Sequence, residues 1–160
     1  MNSTLRTGLS IGVAVVAWTF LMGVTGWYLH PTLLNLFWMV VPIQVVLLVL
    51  GLRASAAENG YGKQVLSGTL ASALAAVLVF CGSILFTTVA FPAYFEEIRA
   101  VQTEILTKAG KSPEEVKAQV EAAAAMQTPF LQALFGAIGT VVTGLLASLV
   151  IAAFARTKRA

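Results

Sequence analysis

Aspartate is absent from this 160-residue chain, and histidine (His30) and cysteine (Cys81) occur once each. A single thiol excludes an intramolecular disulfide framework and any cysteine-rich metal site. One histidine without Cys or Asp partners leaves no metal-ligand set. Charge is scarce as well: Asp, Glu, Lys and Arg make up 11% of the residues, against roughly 25% in an ordinary soluble domain. The net charge of +3 is small and confined to loops and chain ends, so it speaks to membrane topology and not to nucleic acid. What fills the chain is apolar. Hydrophobic residues reach 58% and the mean hydropathy is +0.86, the composition of an integral membrane protein.

Crossing a ~30 Å hydrocarbon core takes about 20 apolar helical residues. Four segments qualify: about 8–29, 32–52, 64–91 and 129–155, each free of Asp, Glu, Lys, Arg and His. Helices satisfy their own backbone in lipid, so the sequence predicts an all-α fold, a four-helix transmembrane bundle forming one membrane domain over 1–160. The first span is too long for a signal-peptide core and no small-residue cleavage site follows it, so it reads as a retained helix. His30-Pro31 supplies the only break between spans one and two.

Arg6, Arg53, Lys63 and the tail residues Arg156, Lys158 and Arg159 fall on one side of the membrane in this arrangement. By the positive-inside rule both termini are expected in the cytoplasm, with the 92–128 segment outside. In a bacterial cell that means the inner membrane. Within 92–128, Tyr94, Ile98, Val101 and Ile105 recur at helical spacing, and Val116, Val120 and Ala123 do so again. An extramembrane helical hairpin between spans three and four is expected, with Tyr94, Ile98, Ile105 and Val116 as a candidate partner-facing surface.

Gly110-Lys111-Ser112 resembles the end of a phosphate-binding loop, but the first glycine of that motif would be Ile105, and no strand precedes it. Gly60-Tyr61-Gly62-Lys63 fails similarly, with Ala57 at the first glycine and Gln64 in place of Ser/Thr. A plainer account fits: Gly110 stops one helix, while Ser112, Pro113 and Glu115 start the next through a capping box. Thr128-Pro129 has the form of a cap and first residue for span four. No nucleotide, cofactor or metal is expected.

Small residues recur every four positions: Gly136, Thr140, Gly144, Ser148 and Ala152 in span four, Gly68, Ser72 and Ala76 in span three, Gly8 and Gly12 in span one. Such ridges let helices approach closely, either inside the bundle or between copies. Polar residues at membrane depth are few. Gln44, Asn35, Thr87 and Thr88 form a candidate polar pocket, the bland alternative being a helix kink at Pro42 with one interhelical hydrogen bond from Gln44. The adjacent pairs Glu96-Glu97 and Glu114-Glu115 have the spacing of a solvated helical face, and no intramembrane carboxylate is present to carry a proton.

The stretches "GLRASAAENGYGKQ", "FPAYFEE", "AGKSPEEVKAQVEAA" and "TPFLQALFGAIGTVVTGLLASLVIAAF" together resemble the bacterial four-helix membrane family known as domain of unknown function 4199. The similarity covers roughly residues 50–160. It implies a four-span membrane protein with a long outer loop and implies no activity. The function expected is therefore non-enzymatic: a scaffold or accessory subunit binding a protein or lipid partner. The alternatives are a small-solute transporter or pore acting as a homo-oligomer, and a lipid-headgroup enzyme using the outer glutamates.

Overall fold

The computed structural model describes residues 2–56 and 59–155. Ala57 and Glu58 in the second loop, and the tail residues Arg156, Lys158 and Arg159, lie outside the described residues. The described residues contain no strand. They form six α-helices: α1 (Ser3–Val24), α2 (Val40–Ala54), α3 (Tyr61–Leu85), α4 (Tyr94–Lys108), α5 (Pro113–Ala124) and α6 (Pro129–Ala155). Four stretches are long and apolar enough to cross a membrane: Ser3–Val24, Leu34–Ala54, Tyr61–Ala90 and Pro129–Phe154.

α3 is the hub of the fold, packing along both α6 and α1, while α2 closes against α1 and α6. A Cβ built on Gly144 would run into the Ser72 side chain, and one on Gly68 into Ser148. These reciprocal insertions make α3 and α6 antiparallel. Gly8 does the same for α1, where a Cβ would sit 2.6 Å from the carbonyl oxygen of Ala71. Gly68, Ser72, Gly144, Ser148 and Gly8 are thus consumed within the chain, where close packing takes the place of a hydrophobic driving force. The middle layer is filled by Ile11, Val15, Leu48, Ala75 and Val79.

The connection from α1 to α2 differs from a two-residue break. Helix α1 stops at Val24, and Gly26 turns left-handed with φ of 67°, a conformation that glycine adopts at no steric cost. A 3-10 turn over Trp27–Leu29 follows, and a second 3-10 segment, Leu34–Met39, leads into α2. Hydropathy could not place these ends, because Trp27, Tyr28 and Leu29 carry no charge to mark a boundary. Pro42 consequently falls in the first turn of α2, where a missing N–H costs little. It marks the change from 3-10 to α geometry in place of a mid-span kink.

At the other end of α3, residues Phe86–Ala90 widen into a π turn, with the Phe91 N–H donating to the carbonyl of Phe86 at 2.8 Å. Helix α4 closes with Gly110 at φ 79°. The Gly110 and Lys111 N–H groups donate to the carbonyls of Thr107 and Leu106, at 3.0 and 3.3 Å, which is the Schellman pattern. Ser112 and Glu115 complete a full capping box on α5, and Thr128 Oγ1 accepts from the Leu131 N–H at 3.2 Å to cap α6. The Ser112 N–H and hydroxyl hold the Glu115 carboxyl below its usual range. Replacing Ser112 by alanine should cost about 1 kcal/mol of local helix stability, seen as faster amide exchange confined to the start of α5.

Candidate functional site

The end of the molecule where α1 and α3 finish and α2 and α6 begin is aromatic. Met22, Tyr28, Phe86, Tyr94 and Ile98 form its buried centre, with Trp18, Phe37, Phe91 and Phe95 packed around them. Tyr94 meets Tyr28 at 5.3 Å, Phe86 at 5.2 Å and Phe95 at 5.2 Å between ring centroids. The Trp18 indole N–H donates to the carbonyl of Leu36 at 2.9 Å, tying the 3-10 segment to α1. The Tyr28 hydroxyl donates to the Glu97 carboxylate, tying α4 to the same turn.

Beneath this layer lies a cleft of about 470 Å³ between α1, the 3-10 segment, α3 and α6. Val15 and Val79 form its apolar floor; Phe37, Trp38, Phe86 and Phe135 supply ring walls, and Tyr94 lines it from the aromatic end. Its polar lining comprises Thr19, Asn35, Ser83, Thr87, Gln132 and Thr140, without a charged side chain. Trp38 is 74% exposed and Phe135 half-exposed. Asn35 and Gln132 are exposed too, so the mouth lies between the 3-10 segment and the first turns of α6.

The cleft exists because two helices depart from regular geometry. The 3-10 segment advances about 2.0 Å per residue in place of 1.5 Å and carries its side chains on a different period from α2. The π turn rotates Phe86 and Thr87, both buried, toward the interior; such turns recur at functional sites. Gly136 contributes by omission. A Cβ there would meet Val79 at 3.5 Å and Ser83 Oγ at 3.9 Å, ordinary contact distances, so the space above it is open.

Of the polar-pocket residues expected from the sequence, Asn35 and Thr87 line the cleft together. Gln44 sits one layer deeper. It is 3% exposed, and its Nε2 donates to the Thr140 carbonyl at 2.7 Å and to Ser72 Oγ at 3.4 Å. That is an interhelical clamp among α2, α3 and α6, worth roughly 1 kcal/mol. Thr88 faces outward and donates to the Ile84 carbonyl at 2.6 Å. Thr19, Ser83, Gln132 and Tyr94 complete the cleft and were not grouped with it by sequence. The i, i+4 spacing of Ser83, in the last turn of α3, and Thr87, in the π turn that follows, was the available signal.

The residues expected to face a partner are largely turned inward. Tyr94, Ile98 and Val116 are buried, and Ile105 is half-buried. Tyr94 and Ile98 belong to the aromatic layer, and Val116 lines a cleft between α4 and α5. The packing residues Gly136, Thr140, Gly144 and Ser148 divide in role: Gly144 and Ser148 form the α3–α6 seam, whereas Gly136 and Thr140 border the cleft.

The family model "Protein of unknown function (DUF4199)" matches residues 6–157. The chain belongs to that family. The match takes in the first two spans, which carried no distinguishing residues when read alone. No curated protein and no solved structure matches the chain.

Burial pushes the Tyr94 phenol up to about 12. Burial, reinforced by the hydrogen bond to Glu97, raises Tyr28 as well. An unfolded tyrosine ionises near 10, so below that value neither group makes stability depend on pH. Above it the unfolded chain loses protons that the folded chain keeps, and stability falls. The tyrosine contribution to thermal stability should therefore be flat with pH up to about 10 and should drop as pH rises toward 12. Tyr28→Phe with Tyr94→Phe should flatten the alkaline limb.

Proposed function

We propose that this protein is a non-catalytic, four-span membrane protein that binds a lipid-like molecule from within the bilayer. The observation carrying this reading is the cleft, whose mouth lies between two membrane-compatible segments at Asn35, Trp38, Gln132 and Phe135. A mouth at that position faces acyl chains, so the occupant enters sideways. Pockets of 300–1,000 Å³ lined by rings and a few polar groups are the usual form of small-molecule sites. About 470 Å³ accommodates a headgroup and the first carbons of its chains.

In this reading both termini are cytoplasmic. Arg6, Arg53 and Lys63 gather at the inner end, as the positive-inside rule requires. α4 and α5 form an outer hairpin that roofs the aromatic layer. Four of the six glutamates on these two helices support a non-catalytic role because their engagements are separate. Glu97 accepts from Tyr28, Glu115 caps α5, and Glu104 and Glu121 pair with Lys108 and Lys117 one turn away. The bacterial inner membrane is the setting proposed.

The test is lipid retention. Protein extracted in mild detergent and examined by native mass spectrometry should carry about one lipid-sized adduct per chain, and Gly136→Leu should lose it. A wild-type protein that retains nothing, or a variant that retains the same adduct, rejects this reading.

A second reading, a small-solute path, draws on the same polar lining. The Ser72–Gly144 and Ser148–Gly68 insertions leave no room along the α3–α6 seam, so such a path would run between copies of the chain. Proteoliposome flux that responds to Gly136→Leu would favour it.

A further inference from the structure

We propose that the cleft selects an uncharged lipid whose head presents a carbonyl oxygen, and that the Tyr94 hydroxyl is the donor that reads it. This rests on the cleft being a lipid site. Tyr94 is 7% exposed, and its ring is held by Tyr28, Phe37, Phe86 and Phe95. Among the described residues its hydroxyl makes no hydrogen bond, although the residue lines the cleft. The Tyr94 hydroxyl oxygen is not among the fully enclosed polar atoms left without a partner, so it keeps accessible surface; buried tyrosines normally find a hydrogen-bond partner. The cleft's occupant is positioned to provide it.

The other hydroxyls narrow the chemistry. Thr19, Thr87 and Thr140 each donate to a carbonyl of their own helix: Val15 at 3.0 Å, Ser83 at 2.9 Å and Gly136 at 2.8 Å. Their protons are spent, so they offer only acceptor lone pairs. Among the described residues the Ser83 hydroxyl makes no hydrogen bond either, so Ser83 and Tyr94 are the hydroxyl donors of the lining, and the Asn35 and Gln132 amides add N–H donors at the mouth. Neutral hydroxyl and amide donors facing several acceptor oxygens suit a head that has a carbonyl to receive and a hydroxyl to give.

Charge complementarity excludes the common phospholipids. No Lys, Arg, His, Asp or Glu lines the cleft, so a phosphate would exchange its hydration for neutral donors only, which is strongly unfavourable. A choline or amine head would likewise lose water without a carboxylate to meet it. Because burial places the Tyr94 phenol at about 12, it remains a donor throughout the physiological range. Chains leave through the mouth between Trp38 and Phe135.

Brominated dioleoylglycerol tests the inference, since it has ester carbonyls, one hydroxyl and no charge. It is compared with brominated phosphatidylglycerol and phosphatidylcholine in nanodiscs of otherwise unbrominated phosphatidylcholine. The readout is the tryptophan quenching lost in Trp38→Phe. Dioleoylglycerol should quench saturably at mole fractions where both phospholipids stay at the level of bulk lipid. Tyr94→Phe should weaken that binding about fivefold, as expected for one net hydrogen bond, with unchanged thermal unfolding at neutral pH. Gly136→Leu should remove it.

Saturable quenching by all three lipids, removed by Gly136→Leu, would overturn the headgroup selection while leaving a lipid cleft in place. A preference for either phospholipid would overturn it too, and so would Tyr94→Phe binding as tightly as the wild type. Quenching that Gly136→Leu leaves untouched would defeat the cleft itself, and both readings with it.

Discussion

Gly144→Leu should lower the stability of the folded chain by about 3 kcal/mol, the upper range for overpacking a filled interior. Gly139→Ala, on the same helix, should change it by less than about 1 kcal/mol, the limit set by helix propensity alone. Both glycines lie in apolar stretches of α6, but their surroundings in space are opposite. A Cβ at Gly144 falls against the Ser72 side chain and comes within 3.2 Å of Gln44 Nε2, whereas one at Gly139 has nothing within 4 Å. Leucine at 144 must push α6 away from α3. That movement also withdraws the Thr140 carbonyl from Gln44, leaving a buried carboxamide without its 2.7 Å bond. Gly68→Leu should behave like Gly144→Leu, since Ser148 occupies the equivalent space. Unfolding in mixed micelles, followed by helicity and by tryptophan emission, would measure all three. Equal losses at 144 and 139 would mean that the seam is not where this helix pair is held.

Gly136→Leu should leave the fold standing and eliminate binding in the cleft. Its Cβ position meets Val79 at 3.5 Å and Ser83 Oγ at 3.9 Å, so the first added carbon makes ordinary contacts. The rest of the side chain extends into a space of about 470 Å³. Filling that space buries leucine surface, which favours the folded state by roughly 1.5–3 kcal/mol if the fit is good. The expected signature is a thermal midpoint equal to or above that of the wild type, together with loss of the retained lipid. This pairing separates a ligand site from a structural void. A void would show the higher midpoint alone, whereas a destabilised variant would show that the cleft wall is already packed.

Membership of the chain in the DUF4199 family gives these tests reach beyond one sequence. Residues lining the cleft, among them Ser83, Thr87, Tyr94 and Gln132, are specific places to look for it in other members.

Much of the architecture was legible because the physics behind it is local. Runs of about 20 apolar residues without charge dictate membrane-compatible helices, and all four appear. Gly110, Ser112 with Glu115, and Thr128 with Pro129 act through atoms within a few residues of themselves, so their cap and stop roles could be read directly. The four-residue spacing of Gly68, Ser72, Gly144 and Ser148 announced close helix contact. What it could not announce was which ridge meets which, since a small face fits a neighbour in the same chain as well as one in another.

Other features depended on tertiary structure. The end of α1 at Val24 hangs on Gly26 turning left-handed, in a stretch where Trp27 and Tyr28 bring no charge to mark a boundary. Tyr94 and Ile98 sit on an amphipathic face that predicts burial against something; only the fold decided that the chain's own aromatic layer is that partner. Gln44 and Asn35 are nine residues apart in the sequence, yet one became a clamp to Thr140 and the other a cleft wall. Sequence determined the kind of molecule, because composition and periodicity act on each segment by itself. The cleft came from the arrangement of segments, through a 3-10 stretch, a π turn and a glycine whose missing side chain leaves room.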